Sequence, residues 1–201
     1  MFITLEGGEG AGKSTQIRRL AAHLAARGRP VLLTREPGGS AGAEATRALL
    51  LSRPWDAKAE MLLHFAARRE HVARSIRPAL AAGAVVLCDR FADSTLAYQV
   101  AGQGGDRALW DGLVQLSLDG VWPDRTLLLD IPPETGLARA HTRGEVNRYE
   151  SLGLGFHSRV RQCFLDQAAA EPGRFRVIDA GQGPEAVFAA MLAALPPELG
   201  A

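Results

Sequence analysis

The chain has 201 residues, 47% of them hydrophobic, with 23 lysines and arginines against 22 aspartates and glutamates. That is the composition of one ordinary globular domain with a substantial core, expected to span residues 1–201, and the near cancellation of charge argues against a broad basic face for duplex nucleic acid or an anionic membrane. No apolar run reaches the roughly 18 residues of a membrane span, no basic stretch precedes a long apolar one at the start, and Cys88 and Cys163 have no metal or redox spacing, so a cytoplasmic protein is expected.

Residues 2–5 form a short apolar and β-branched run that reads as a buried strand, and residues 16–24 carry apolar side chains at helical spacing. Between them lies Gly7-Gly8-Glu9-Gly10-Ala11-Gly12-Lys13-Ser14-Thr15, the spacing of a phosphate-binding loop in the required strand, loop and helix order. Gly7, Gly10 and Gly12 permit backbone conformations closed to residues with a Cβ, so successive N–H groups can converge on an anion. The following helix adds the positive end of its dipole. Lys13 supplies a cation for β and γ phosphates, the Ser14 hydroxyl is placed to coordinate Mg²⁺, and residues 7–15 together are the expected ATP-binding element.

After Gly28 and Pro30, residues 31–34 read as a second buried strand, and this β-α-β unit implies a parallel sheet with a right-handed crossover. The polar turn at 35–40 falls at the carboxyl edge, where open α/β sheets place their ligands. Residues 42–51 are helical in pattern, and 55–80 carry one or two helices. Residues 84–88 have no polar face, as in a central parallel strand, and run directly into Asp89-Arg90 at the edge that holds the phosphate loop. Helices at about 94–101 and 107–118, a strand at 126–130 and a helix opened by Pro132-Pro133 follow. Residues 139–150 are polar and arginine-rich, are interrupted by Gly144, and read as a mobile lid at about 139–152. A helix over 156–170, a strand over 175–179 and a helix over 185–195 complete the pattern, and the Pro196-Pro197 tail is expected to fray. The fold class is therefore α/β: a P-loop fold with a five-stranded parallel sheet, helices on both faces and a short lid.

Enzymes that move a phosphoryl group position donor and acceptor and neutralise the charge spreading over the transferred group. Cations should then come from several parts of the chain: Lys13, Arg90 at the end of the third strand, Arg35 or Arg47, and the lid arginines. Asp89 is suited to hold Mg²⁺ directly or through water. A nucleotide-dependent switch is the competing reading, but the chain has no Asn-Lys-x-Asp motif and does have an arginine-rich lid. The helix glutamates read as solvated faces, and His23, His71, His141 and His157 as structural.

Further motifs follow in order: Thr34-Arg35-Glu36-Pro37-Gly38-Gly39, residues 66–72 with Arg77-Pro78-Ala79-Leu80, Asp89-Arg90-Phe91 with Ser94-Thr95-Leu96-Ala97-Tyr98-Gln99, and Arg143-Gly144-Glu145 with Asn147-Arg148. With them the chain resembles the bacterial thymidylate kinases over nearly its whole length. The resemblance implies phosphoryl transfer from ATP to dTMP, with Mg²⁺, in a homodimer. It implies that Arg68 hydrogen-bonds the thymine ring, that Arg90 and Arg47 hold the dTMP phosphate, and that Glu9 approaches the sugar 3′-hydroxyl. It also implies that Thr95 and Gln99 touch the base and that Tyr98 lies near the sugar, although a core tyrosine fits that position as well. Glu36, in the turn near the acceptor, joins the candidate substrate-binding set.

The family's stacking ring, usually phenylalanine, falls at His64, with Phe65 beside it, so either the imidazole stacks or the register shifts to present Phe65. The phosphate loop carries Gly10 and Ala11 where one group of the family has an arginine. The sequence thus resembles the group that draws its catalytic arginine from the lid, with Arg143 and Arg148 as candidates and Arg139 behind them. On that reading Arg148→Ala lowers turnover far more than it weakens dTMP binding. A kinase for another nucleoside monophosphate, or for a small polyol or acid, is the alternative, and the region of Arg68 is where they would differ.

Overall fold

The computed structural model describes residues 1–142 and 148–200. Its sheet is built from β1 (Phe2–Glu6), β2 (Val31–Arg35), β3 (Val85–Asp89), β4 (Arg125–Asp130) and β5 (Phe175–Asp179). All pairs are parallel, in the order β2-β3-β1-β4-β5. With β1 in the middle and the chain leaving it to either side, the crevice for ligands lies at the carboxyl ends of β1 and its neighbours.

Strand alternation sorts the core into two faces. Ile3, Leu5, Val85, Leu87, Leu127 and Leu129 pack on Ile17, Leu20 and Leu24 of α1 (Lys13–Ala26) and on Val187 and Met191 of a helix over residues 184–193. On the other face Phe2, Val86 and Cys88 meet Met61 and Phe65 of the helix over residues 57–71 and Trp110 and Leu113 of that over 107–118, while Leu128 meets Val160 and Phe164 of that over 154–170. In chain order the helices after α1 are α2 (Ala41–Ser52), α3 (Ala57–His71), α4 (Arg77–Ala81), α5 (Ala92–Thr95), α6 (Arg107–Leu118), α7 (Pro133–His141), α8 (Leu154–Ala170), α9 (Pro184–Ala193) and α10 (Pro197–Gly200). Side chains of Ser40, Asp56 and Asp106 accept from first-turn N–H groups and fix the starts of α2, α3 and α6.

Two wider, π-helical segments interrupt this regularity. Val72–Ile76 joins α3 to α4, and Leu96–Gly102 continues α5 and carries Tyr98 and Gln99. The ion pair of Arg174 with Asp93, 2.6 Å long and buried, ties α5 to the start of β5.

The structure departs from the sequence expectations in four places. Strand β2 is an edge strand with Leu33 42% exposed, because an apolar run does not reveal how many neighbours a strand will have. Helix α1 starts at Lys13, directly after Gly12 at φ 87°. The tail does not fray: α10 folds back, Leu195 and Leu199 enter the core, and Arg29 Nη2 donates to Glu198 O at 2.7 Å. In the predicted lid, residues 139–141 complete α7, while residues 143–147, and with them Arg143, lie outside the described residues.

Candidate active site

The loop from Gly7 to Gly12 leaves β1 and delivers the chain into α1. Gly7, Gly10 and Gly12 all have positive φ, at 138°, 69° and 87°, so the three glycines chosen by spacing are the three the backbone requires. Gly10 has a second reason: a Cβ there would lie 1.8 Å from the carbonyl oxygen of Gly136 on α7. Lys13 Nζ curls back to donate to Gly7 O at 3.0 Å and Gly8 O at 2.8 Å. Burial, with Arg90 nearby, pushes its pKa down to about 8 against the pull of Glu9, Asp89 and Glu6. The Ser14 hydroxyl donates to Asp89 Oδ2 at 2.8 Å, which sets a hydroxyl beside a carboxylate on the wall of a cavity of about 650 Å³. That is the hard-oxygen pairing a Mg²⁺ ion takes.

Residues 9–15, Arg35, Arg47, Asp89, Arg90, Arg139 and Glu150 line this cavity. Arg139, at the last turn of α7, is fixed at its mouth by the carbonyls of Ala180 and Gly181 at 2.7 and 3.0 Å.

Arg90 follows β3 in a left-handed conformation, φ 72°. Its guanidinium donates to Gly7 O, Ser94 Oγ, Glu9 Oε1 and the Tyr98 hydroxyl, all at 2.9 to 3.1 Å. Beneath it the buried Glu6 carboxylate accepts from Phe91 N at 2.7 Å and the Ser94 hydroxyl at 2.6 Å. Burial and the nearby Asp93 charge push the Glu6 pKa up to about 8. Sequence reasoning overlooked Glu6, since a glutamate closing an apolar strand carries no motif of its own, and quoted Ser94 within a motif without giving it a role.

A second cavity, about 160 Å³, opens beside the first and shares Glu9, Glu36, Arg47 and Arg90 with it. Arg47 Nη1 donates to Pro37 O at 2.9 Å. Deeper in, Arg68 is pinned by Glu36 Oε2 at 2.6 Å, Phe91 O at 3.1 Å and Thr95 Oγ1 at 3.0 Å. Its Nη1 is buried and has no hydrogen-bond partner among the described residues. His71 holds the other Glu36 oxygen at 3.0 Å and Thr34 at 2.7 Å, which makes it the structural histidine the sequence suggested. Tyr98 packs its ring in the core against Phe156 and Phe164, as a core tyrosine would, and places its hydroxyl on Glu9 and Arg90 at the cavity.

The helix register sets which of the two rings at positions 64 and 65 faces the second cavity. His64 faces the second cavity, whereas Phe65 points into the opposite core with Met61 and Phe91. His64 Nε2 lies 3.4 Å from the Tyr149 hydroxyl, and burial, with the Arg68 charge, pushes the imidazole pKa down to about 4. The ring is neutral at physiological pH.

One reading from sequence is corrected: Glu60, counted among solvated helix glutamates, is 1% exposed and accepts from Arg148, Tyr149, Gln99 and Gln103. Arg148, expected at the phosphates, donates in this structure to Glu60 Oε2 and to Arg53 O, and does not line the phosphate-loop cavity. A buried carboxylate demands a cation, and Arg148 is the one that reaches Glu60. Tyr149, which walls the second cavity beside Tyr98, follows directly on the Asn147-Arg148 motif and was not singled out from sequence.

A family model described as thymidylate kinase matches residues 5–191. Among curated relatives, the thymidylate kinase of Caulobacter vibrioides is 56% identical over 193 residues, covering 94% of this chain and 93% of that protein. That of Cereibacter sphaeroides is 52% identical over 206 residues, covering 98% and 95%. The crystal structure of thymidylate kinase from Ehrlichia chaffeensis superposes with a TM-score of 0.81 at 36% identity, covering 98% of both chains. Two joined cavities floored by a phosphate loop, and likeness at this level over the full length, place the chain in the thymidylate kinase family.

Proposed function

We propose the following use of the site by an enzyme that transfers the γ-phosphoryl group of ATP to dTMP, giving dTDP and ADP. The observation that carries it is the pair of cavities meeting at Glu9, Glu36, Arg47 and Arg90, since two nucleotides set phosphate to phosphate need cations where they join. ATP lies on residues 7–15 with its β and γ phosphates at Lys13, and Arg139 stands at the mouth. In the second cavity dTMP has its phosphate at Arg90 and Arg47, its sugar near Glu9 and Tyr98, and its base among His64, Arg68, Thr95 and Gln99. The free Nη1 of Arg68 donates to a base carbonyl, and neutral His64 offers its flat face to the ring.

A phosphate oxygen of dTMP attacks the γ phosphorus, the bond to the β–γ bridging oxygen breaks, and ADP leaves with that electron pair. The chain's part is to bring the two phosphates together and to set Lys13 and Arg90 against the charge that develops. Mg²⁺, held by Ser14 and Asp89, would supply further neutralisation on the ATP phosphates.

Because Arg148 is engaged by Glu60, we assign it to shaping the base pocket. Arg148→Ala should then raise the dTMP KM at least as much as it lowers kcat, and steady-state kinetics with a large fall in kcat at unchanged KM would restore it to the phosphates. A homodimer is part of the proposal. The mutually packed α3 and α6 leave Leu62 and Leu116 exposed, and light scattering on Leu116→Glu tests whether that face is used. No described helix is long and apolar enough to cross a membrane, and the cytoplasm, where ATP is held, is the compartment this reading expects.

The deciding experiment is a coupled assay of ADP formation with dTMP, dUMP, dCMP and AMP. ATP turnover should depend strictly on an added monophosphate and be fastest with dTMP. Turnover without any monophosphate would overturn the proposal in favour of a nucleotide switch.

A further inference from the structure

The base pocket contains a group that touches no substrate in the proposed binding mode, yet governs one that does. Four donors converge on the buried Glu60 carboxylate. Arg148 Nη2 takes Oε2, while the Tyr149 hydroxyl at 2.8 Å, Gln99 Nε2 at 2.8 Å and Gln103 Nε2 at 3.1 Å take Oε1. Burial works against ionisation here, but the bonds from Arg148, Tyr149 and Gln99 outweigh it and hold the pKa below the usual carboxylate value. Ionised Glu60 can only accept, so any amide facing it must turn its NH₂ that way. Tyr149, whose hydrogen is committed to Glu60, accepts from the same Gln99 Nε2 at 3.2 Å. With both acceptors on its nitrogen side, Gln99 has its Oε1 left over in the second cavity, and no hydrogen bond to that oxygen occurs among the described residues.

The second cavity is therefore lined by Gln99, whose Oε1 is fixed as an acceptor, and by Arg68, whose buried Nη1 is a donor with no hydrogen-bond partner among the described residues. Thymine carries an N3–H donor next to the O4 acceptor, and cytosine carries the reverse, an N3 acceptor next to an amino donor. A buried polar site that matches one pattern rejects the other, because mismatched groups remain desolvated and unpaired.

We propose that Glu60 is a specificity-determining positioning residue: by fixing which way the Gln99 amide points, it makes the pocket choose thymine over cytosine nucleotides. The inference rests on the dTMP-kinase reading.

The test is Glu60→Gln in the full chain, with kcat/KM measured for dTMP, dUMP and dCMP. The substituted amide can offer its own NH₂ to Gln99 Oε1 and release the constraint. The dTMP:dCMP ratio should fall by at least about tenfold, while the dTMP:dUMP ratio, which depends on C5 alone, stays within about twofold. Loss of the Arg148 pairing would slow all three substrates together and leave both ratios unchanged, so a merely structural Glu60 would not move this readout.

A dTMP:dCMP ratio unchanged in Glu60→Gln overturns the inference. Should that variant fail to fold, Glu60→Asp and Glu60→Ala decide. The inference expects the ratio to survive in the first, which keeps a carboxylate acceptor, and to fall in the second, which removes the acceptor that holds the Gln99 nitrogen. Any other pairing of results overturns it. A wild-type enzyme without dTMP-dependent ADP formation would instead sink the underlying function, and is read from the same assay.

Discussion

Lys13→Ala should reduce kcat with dTMP by about a thousandfold or more while leaving the protein folded. Among the described residues Lys13 is the cation lodged inside the phosphate loop, where its ammonium already holds the Gly7 and Gly8 carbonyls. When the side chain is removed, Gly7 O keeps the Arg90 guanidinium as a donor at 3.1 Å, and Gly8, half-buried, can bond water. Folding should not suffer, because burial of the charged form is itself unfavourable. Depression of the pKa from 10.5 to about 8 corresponds to roughly 3 kcal/mol, and alanine removes that cost.

The sign of the pH dependence follows from the same shift. Between about 8 and 10.5 the unfolded chain binds the lysine proton and the folded one does not, so this contribution to stability rises with pH through that window. ATP binding requires the proton, so kcat/KM for ATP should decline above about pH 8 in the wild type. A Lys13→Ala enzyme with near-normal turnover, or a wild-type profile flat to about pH 10, would remove Lys13 from the role given to it.

Arg68→Ala should cost both affinity and stability, and the two can be read separately. Arg68 brings one unused donor into the base pocket and neutralises Glu36 in a 2.6 Å contact where both side chains are almost wholly buried. Removing one member of a buried pair leaves an uncompensated charge, at about 3–5 kcal/mol, and His71 is the remaining partner of that carboxylate. Urea unfolding should register the loss. The dTMP KM should rise by about a hundredfold, the value of a charged hydrogen bond in a buried pocket plus the disorder of the turn at Glu36. The ATP KM, set on the other side of the cation ring, should move by no more than about twofold. Equal losses for both nucleotides would mean that Arg68 supports the fold and does not read the base.

Much of this protein is legible in its amino-acid order. The phosphate loop can be read because its glycines answer a local demand: positive φ at three positions is a property of a few consecutive residues. The strand leading into Asp89-Arg90 is equally plain, since parallel strands buried on both sides must be apolar throughout and must end where the ligand lies. Those local rules set five strands, their directions and the edge that carries chemistry. They could not rank β2 as an edge strand, because apolar content says nothing about the number of hydrogen-bonded neighbours.

What tertiary structure alone decided concerns partners far apart in sequence. Glu60 and Arg148 are 88 residues apart, and nothing near either one announces that a helix glutamate will be buried and pair with that arginine. Which of His64 and Phe65 faces the second cavity turned on a rotation of about 100° around the axis of α3, which periodicity constrains loosely when apolar residues crowd both sides. The packed tail is of the same kind, with Leu199 burying itself only because α1 and α9 had already built a surface to receive it. By itself the sequence determined the groups whose geometry is written in consecutive φ and ψ angles. The groups whose charge or apolar area must be satisfied at a distance were assigned only when the chain folded, because desolvation is a property of the assembled surroundings and not of the residue.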